Sequence, residues 1–201
     1  MRPAMKPIAA MVRFWARMAA DGRAAAAVEF AALLPFMLLL YVGGVDVASG
    51  VSADRRVTQT SRTVADLASR QTSLATADVT TILQAASAVM APFNSTDAQV
   101  IVSQVCVGAN GKAAIQWSQA SSNTTAHTVG QSVTLPTALV TPNTATWLIW
   151  GEATYLYTPT IGYYVIGTNG TLTMYDNIFM APRMSQYVQL NGVPTSSTTC
   201  P

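Results

Sequence analysis

Apolar residues fall along this chain in three successive patterns. From Ala24 to Val47 the sequence AAAAVEFAALLPFMLLLYVGGVDV holds an uninterrupted apolar run, Phe30 to Val45, of 16 residues. As helix that run covers about 24 Å, short of a hydrocarbon core of about 30 Å. A helix that begins among the alanines near Ala24 has 24 residues and reaches about 36 Å, which moves Glu29 and Asp46 towards opposite interfaces. The pattern predicts one membrane-spanning helix over residues 25–48, bent at Pro35, where a backbone donor is missing. Next, Val57, Thr60, Val64, Leu67 and Leu74 recur at spacings of three, four and seven, so the helix continues to about Arg70. Thr76 is the expected cap of a second helix with an apolar stripe through Val79, Ile82, Leu83, Ala86, Val89 and Met90, ended by Pro92.

From Gln99 the period shortens to two. Gln99 to Val107 and Lys112 to Gln119 read as strands joined at Asn110-Gly111, and Trp147 to Tyr157, Gly162 to Ile166 and Thr171 to Phe179 alternate again around Asn169-Gly170. Ser118 to Thr146 is a long Ser/Thr/Asn/Pro-rich connection. The expected fold is α+β: an N-terminal transmembrane helix continuing into a long helix, a second helix, then a four- to five-stranded antiparallel sheet with the helices on one face. The domain reading is residues 1–24 as a basic leader, 25–48 as the span, 49–92 as an extended helical region and 93–201 as the sheet domain with its tail.

Charge gives the span a direction. Residues 1–23 hold Arg2, Lys6, Arg13, Arg17 and Arg23 against Asp21, whereas residues 54–201 hold six basic and six acidic side chains. The positive-inside rule places the start in the cytoplasm and the body across the membrane. A cleavable secretory signal shows the same charge order, with Val47-Ala48-Ser49 before Gly50 as its cleavage site. The apolar run exceeds the usual core of about 7 to 15 residues and favours retention. In an oxidising compartment Cys106 and Cys200, the two cysteines of the chain, are expected to pair and close a loop of roughly 95 residues, which on the chain-entropy model stabilises by about 4 to 5 kcal/mol. The alternative is two unpaired thiols.

Only 10% of the 201 residues are charged, against about 25% for soluble domains. With one histidine and two glutamates, the chain lacks the stock for metal sites and most catalytic constellations. No catalytic residue, metal site or cofactor is nominated, and nucleic acid is not an expected partner. His127 reads as a surface residue of a polar loop. Glu152 and Asp176 form a conceivable carboxylate pair whose separation the sequence does not fix, with solvated or hydrogen-bonded positions as the simpler reading. Tyr155, Tyr157, Tyr163, Tyr164 and Tyr175 with Trp147 and Trp150 offer either an aromatic surface or, by alternation, a half share of the core.

The most specific segment is Arg23 to Pro35, RAAAAVEFAALLP. A carboxylate at the end of a membrane helix is costly unless paired, which makes Glu29 a functional candidate; the simpler alternative is an anchor residue that snorkels to the interface. The segment resembles the TadE-like (TadE/TadG) family of the tight-adherence, or Flp-type, pilus machinery: a basic leader, a run of small residues, Val28-Glu29-Phe30, an apolar stretch and Pro35. Ala153 to Pro159 and Ala181-Pro182-Arg183 resemble the family's later tyrosine-proline and proline-arginine elements, and the late cysteine agrees. The resemblance implies a pseudopilin-like protein in the bacterial inner membrane with its body in the periplasm, taking part in pilus assembly. It implies other pilins or pseudopilins, the Tad secretion machinery and a prepilin peptidase as partners. The implied cut falls at Ala24-Ala25, where the family carries glycine before the bond and this chain carries Ala24, with Gly22 two positions upstream. An amine released at Ala25 would sit within about a turn of Glu29, so that a neighbouring subunit's carboxylate satisfies it. The other readings are an envelope adhesin not required for pilus assembly and a membrane-tethered hydrolase, for which no nucleophile and base stand out.

Overall fold

The computed structural model describes residues 11, 15, 22–141, 144–159, 170–192 and 200. The expected strand at Gly162 to Ile166, Asn169, Tyr163 and Tyr164 lie outside the described residues, as do most of the basic leader and of the C-terminal tail. The chain divides into two compact units, Met1–Val47 and Ala48–Pro201.

Helix α1, Gly22–Ser69, is continuous and keeps Pro35 in its interior. In the first unit every side chain from Ala25 to Tyr41 is exposed, among them Phe30, Leu33, Phe36 and Leu40. Ala25–Ser69 is, among the described residues, the one helix long and apolar enough to cross a membrane, and none of its most apolar window is buried against protein.

In the second unit the elements after α1 are β1 (Ser73–Leu74), α2 (Thr76–Ala88), β2 (Ala98–Val107), β3 (Ala113–Ala120), β4 (Ser132–Val133), β5 (Thr146–Tyr157), β6 (Leu172–Met180) and β7 (Gln189–Leu190). Strands β4-β3-β2-β5-β6 form a five-stranded sheet, antiparallel throughout. The α+β expectation therefore holds, with the sheet at the upper end of the expected strand count. A separate two-residue parallel pair joins β1 to β7.

The helices cover one face of the sheet. Small residues decide how closely α1 approaches: Ala53, Thr60, Ser61, Ala65 and Ala68 are fully buried, with Val57 and Val64 between them. At Gly151 on β5 a Cβ would stand 2.6 Å from the Ser61 carbonyl oxygen and 2.9 Å from Ala65 Cβ, so the helix backbone rests on a strand position that only glycine can fill. Leu67, expected in the stripe, is half-buried, and Leu74 reaches the core from β1 rather than from the helix. The second helix is not capped by Thr76. Ala75 is its N-cap, its backbone N–H donating to the Asp78 carboxylate at 2.9 Å, while the Thr76 backbone N–H donates to Asn191 Oδ1 at 3.0 Å. The C-terminal segment is tied to the same face. Trp117 Nε1 donates to the Val188 carbonyl at 2.9 Å, and the Val188 N–H donates to the fully buried Gln104 amide oxygen at 2.6 Å.

The long connection is not free of the sheet. It contributes β4 and a short 3-10 turn, Thr137–Leu139, and packs Leu135, Leu139 and Val140 over Val105, Ile115 and Leu148 on the face opposite the helices. Buried on both faces, β2 reads as a nearly continuous apolar run.

Candidate functional site

Two constellations carry the chemistry of the chain. The first is on α1. Ala24 lies in the helix, and Ala25, Val28, Glu29, Phe30 and Pro35 follow on its exposed N-terminal part. No described side chain packs over Val28, Phe30 or the leucines that follow, so this stretch is a rod with its apolar surface turned outward. In water such a surface is unfavourable by roughly 25 cal/mol per Å², whereas in hydrocarbon it is the surface the medium matches. The backbone of a helix is satisfied internally, which is the condition for crossing lipid.

The second constellation is on the outer face of the sheet and brings together three groups the sequence left apart. Glu152, buried on β5, stands with its Oε2 2.6 Å from His127 Nε2, while Tyr175 on β6 donates its hydroxyl to Glu152 Oε1 at 2.9 Å. His127 is therefore not a solvated loop residue. Its ring stacks on Trp150 at 4.9 Å between centroids and 9° between planes, and Trp150 stacks in turn on Phe179 at 5.4 Å. The register explains the meeting: Trp150 pairs with Phe179 and Glu152 with Asn177, so Tyr175, two residues before Asn177, shares their face. No sequence spacing signalled that the loop carrying His127 returns over this point.

Asp176 is not the carboxylate partner of Glu152. One residue out of phase, it faces the helices and accepts a hydrogen bond from Ser61 Oγ at 3.2 Å. Burial, together with the neighbouring Glu152 carboxylate, pushes the Tyr175 hydroxyl well above the ordinary phenol range, because ionisation would place a second anion against the first. Tyr155 is raised too, by burial first and Asp97 second. Tyr155 and Trp147 belong to the core and Tyr175 is exposed, a division that follows the strand alternation.

The arrangement of the polar group fits a tie more than a reaction centre. The Ser118 hydroxyl accepts from the His127 backbone N–H at 3.0 Å and from Ser103 Oγ at 2.8 Å. It is thus committed to backbone and serine rather than aligned on the imidazole as an activated nucleophile requires. Among the described residues no group of three or more His, Cys, Asp or Glu side chains is placed to hold a metal ion.

Cys106 and Cys200 are bonded, with Cα atoms 5.5 Å apart, closing 94 residues of sequence. Cys106 is fully buried on β2, so the bond fixes the end of the chain to the second strand.

Comparison with known proteins places the first constellation. No curated protein and no solved structure matches the chain. The family model described as TadE-like protein matches residues 24–66, from the small-residue run at the start of the span to the small-residue face that packs on Gly151. This match supports a Tad-pilus-associated, pseudopilin-like protein, and components of that kind are structural. The apolar helix fits a single-pass membrane anchor. The match takes in the segment in which the sequence resembles this family, and over residues 24–66 the long helix is similar to that of a TadE-like protein.

Proposed function

We propose that this chain is a membrane-anchored minor pseudopilin-like component needed for assembly or function of a Tad-type adhesive pilus. Its start lies in the cytoplasm, its span in the bacterial inner membrane and its sheet domain in the periplasm. The observation that carries the reading is the fully outward apolar surface of residues 25–41 within the segment that matches the family. The basic leader sets the direction, and a bonded cysteine pair agrees with an oxidising compartment.

Within that role Glu29 is the assembly residue. A carboxylate at the end of a span is stabilised by a cation from its own leader, such as Arg23, or by the amine of a neighbouring subunit released by a prepilin peptidase at Ala24-Ala25. Partners on this reading are other pilins or pseudopilins and the Tad secretion machinery. Glu29→Ala tests it: the membrane level of the protein falls or surface pili are lost, whereas unchanged membrane level together with unchanged piliation contradicts the assignment. The second reading, an envelope adhesin, has the exposed Tyr175 and Leu156 of the sheet in its favour. Deletion separates the two, since an adhesin leaves pili intact and removes only attachment.

A further inference from the structure

Among the described residues of the second unit, the exposed large apolar side chains are Val51, Val129, Leu156, Leu172, Tyr175 and Met184. Three of them meet at the end where the unit begins. A Cβ on Gly50 would stand 3.6 Å from Tyr157 Cε1, so the first turn of the unit lies against the end of β5. Tyr157 pairs with Leu172 at the start of β6, and the two share one face of the sheet while Leu156 stands on the other. Leu156 is 45% exposed, Val51 50% and Leu172 51%. Half-buried Phe93 sets its ring edge-on to Tyr157, 6.4 Å between centroids. Charges at this end offset one another: the segments that meet here carry Asp54 and Asp97 against Arg55 and Arg56. Met184 and Val129 lie elsewhere. Met184 follows Arg183, whose N–H donates to the Ser69 carbonyl, about 28 Å of helix from Gly50. Val129 precedes Gly130, which donates to the Ile115 carbonyl well along the sheet.

We infer that this end of the sheet domain is a foot that rests in the headgroup layer of the bilayer, with Val51, Leu156 and Leu172 against lipid and Tyr157 among them. The inference rests on the membrane-anchored reading above. Chain connectivity names the occupant. Ala48 is bonded to Val47, the last residue of the apolar segment, so Gly50 stays within about 5 Å of helix from where that segment ends. The bond between the two residues alone sets this. A headgroup layer is roughly 5 to 8 Å deep on each side of the hydrocarbon, which takes in the level of Gly50 and of the Tyr157 ring against it. Tyrosine is enriched at that depth because its ring suits the apolar side and its hydroxyl the wet side. Half-exposed leucines on both faces of the sheet end exchange water for acyl-chain carbon there, which is favourable in proportion to the area covered. With two acids offsetting two arginines, of which Arg56 Nη1 already donates to the Val89 carbonyl at 3.4 Å, the attraction is apolar and does not depend on anionic lipid.

The test is photolabelling of the full-length chain reconstituted in phosphatidylcholine vesicles, which include a phosphatidylcholine bearing a diazirine near the glycerol end of one acyl chain. Labelled residues are mapped by mass spectrometry. The expected result is label on the span, on Leu156 and on Leu172, with Met184 and Val129 bare although both are more exposed. The same pattern and yield are expected in vesicles that also contain phosphatidylglycerol. Leu156→Ser with Leu172→Ser lowers the label at Tyr157 about tenfold and leaves label on the span unchanged. The unmodified chain decides the question by itself should the double variant misfold. Label confined to the span, label on Met184 or Val129 equal to that on Leu172, label that needs phosphatidylglycerol, or undiminished label at Tyr157 in a folded double variant overturns the inference. The span keeps the two readings apart: a labelled span with bare Leu156 and Leu172 removes the foot and keeps the anchor, whereas a bare span removes both.

Discussion

The two parts of α1 bear opposite kinds of surface. From Ala25 to Tyr41 every side chain is exposed, the large ones on all sides of the helix. From Ala53 to Ser69 the buried face is made mostly of alanine, serine and threonine, and the large residues give way to Val57 and Val64. The difference teaches that along this helix large apolar side chains stand where no part of the sheet domain covers them, while small ones mark contact with the sheet. Close approach of a helix to a strand is limited by the bulk between the two backbones, and here Gly151 and Ala65 reduce that bulk to almost nothing.

Perturbations of the sheet domain should therefore register as stability, and perturbations of the outward part should not. The largest effect is expected from removing the Cys106–Cys200 bond by Cys106→Ala with Cys200→Ala. It releases a 94-residue closure and costs about 4 kcal/mol. In thermal melts of the full-length chain in detergent this reads as a drop on the order of 10 °C. A drop below a few degrees would mean the end of the chain is held by Val188 and its partners instead.

Next comes Gly151→Leu. Its side chain has to displace the α1 backbone at Ser61, and overpacking of this kind costs about 3 kcal/mol. A melt close to that of the unmodified protein would show that the helix is not seated on β5.

Glu152→Gln ranks third, at about 2 kcal/mol, because a carboxylate that accepts from two side chains is replaced by an amide that accepts less strongly. The same substitution has a pH signature. In the unmodified protein the Tyr175 hydroxyl is raised above the phenol value of about 10. Its contribution to stability is thus fully present below that pH and is lost as pH rises through the folded-state value. Absorbance titration of the phenolates should show Tyr175 ionising late, and earlier in Glu152→Gln. Identical titrations would dissolve the tie between the two residues.

The smallest effect belongs to Leu38→Ala, on the outward part of the helix. Leu38 is 54% exposed and lies outside the buried clusters of the sheet domain, so the melt should move by no more than about 0.5 kcal/mol. A core-sized loss of 2 to 5 kcal/mol would place Leu38 against protein and erase the contrast between the two parts.

The contrast also accounts for what was legible in the sequence. The span, the helix continuation and the strands on either side of Gly111 were readable because each is set by local periodicity or by a turn residue. Gly111 indeed takes a positive φ of 78°. The small-residue face of α1 was not readable, because Ala65 and Ser61 are unremarkable on any hydrophobicity scale until Gly151 is set opposite them. His127 was misread for a related reason. Its partners Trp150 and Glu152 lie 23 and 25 positions away, brought to it by a returning loop rather than by spacing. Thr76 lost the cap to Asp78, which reaches back to the Ala75 N–H while Thr76 turns to Asn191. Val28, Glu29, Phe30 and Pro35 stand out in the sequence because a long apolar helix is a local pattern that needs no tertiary partner to define it, and they fall within the segment that matches the family model.

The claim on which the rest depends is that the outward part of α1 stays in lipid as part of the mature protein. Intact-mass measurement of the chain recovered from fractionated native envelopes tests it most directly. The account predicts a membrane-bound species that begins at Ala25 or retains the leader; a soluble species that begins at Gly50 would contradict it.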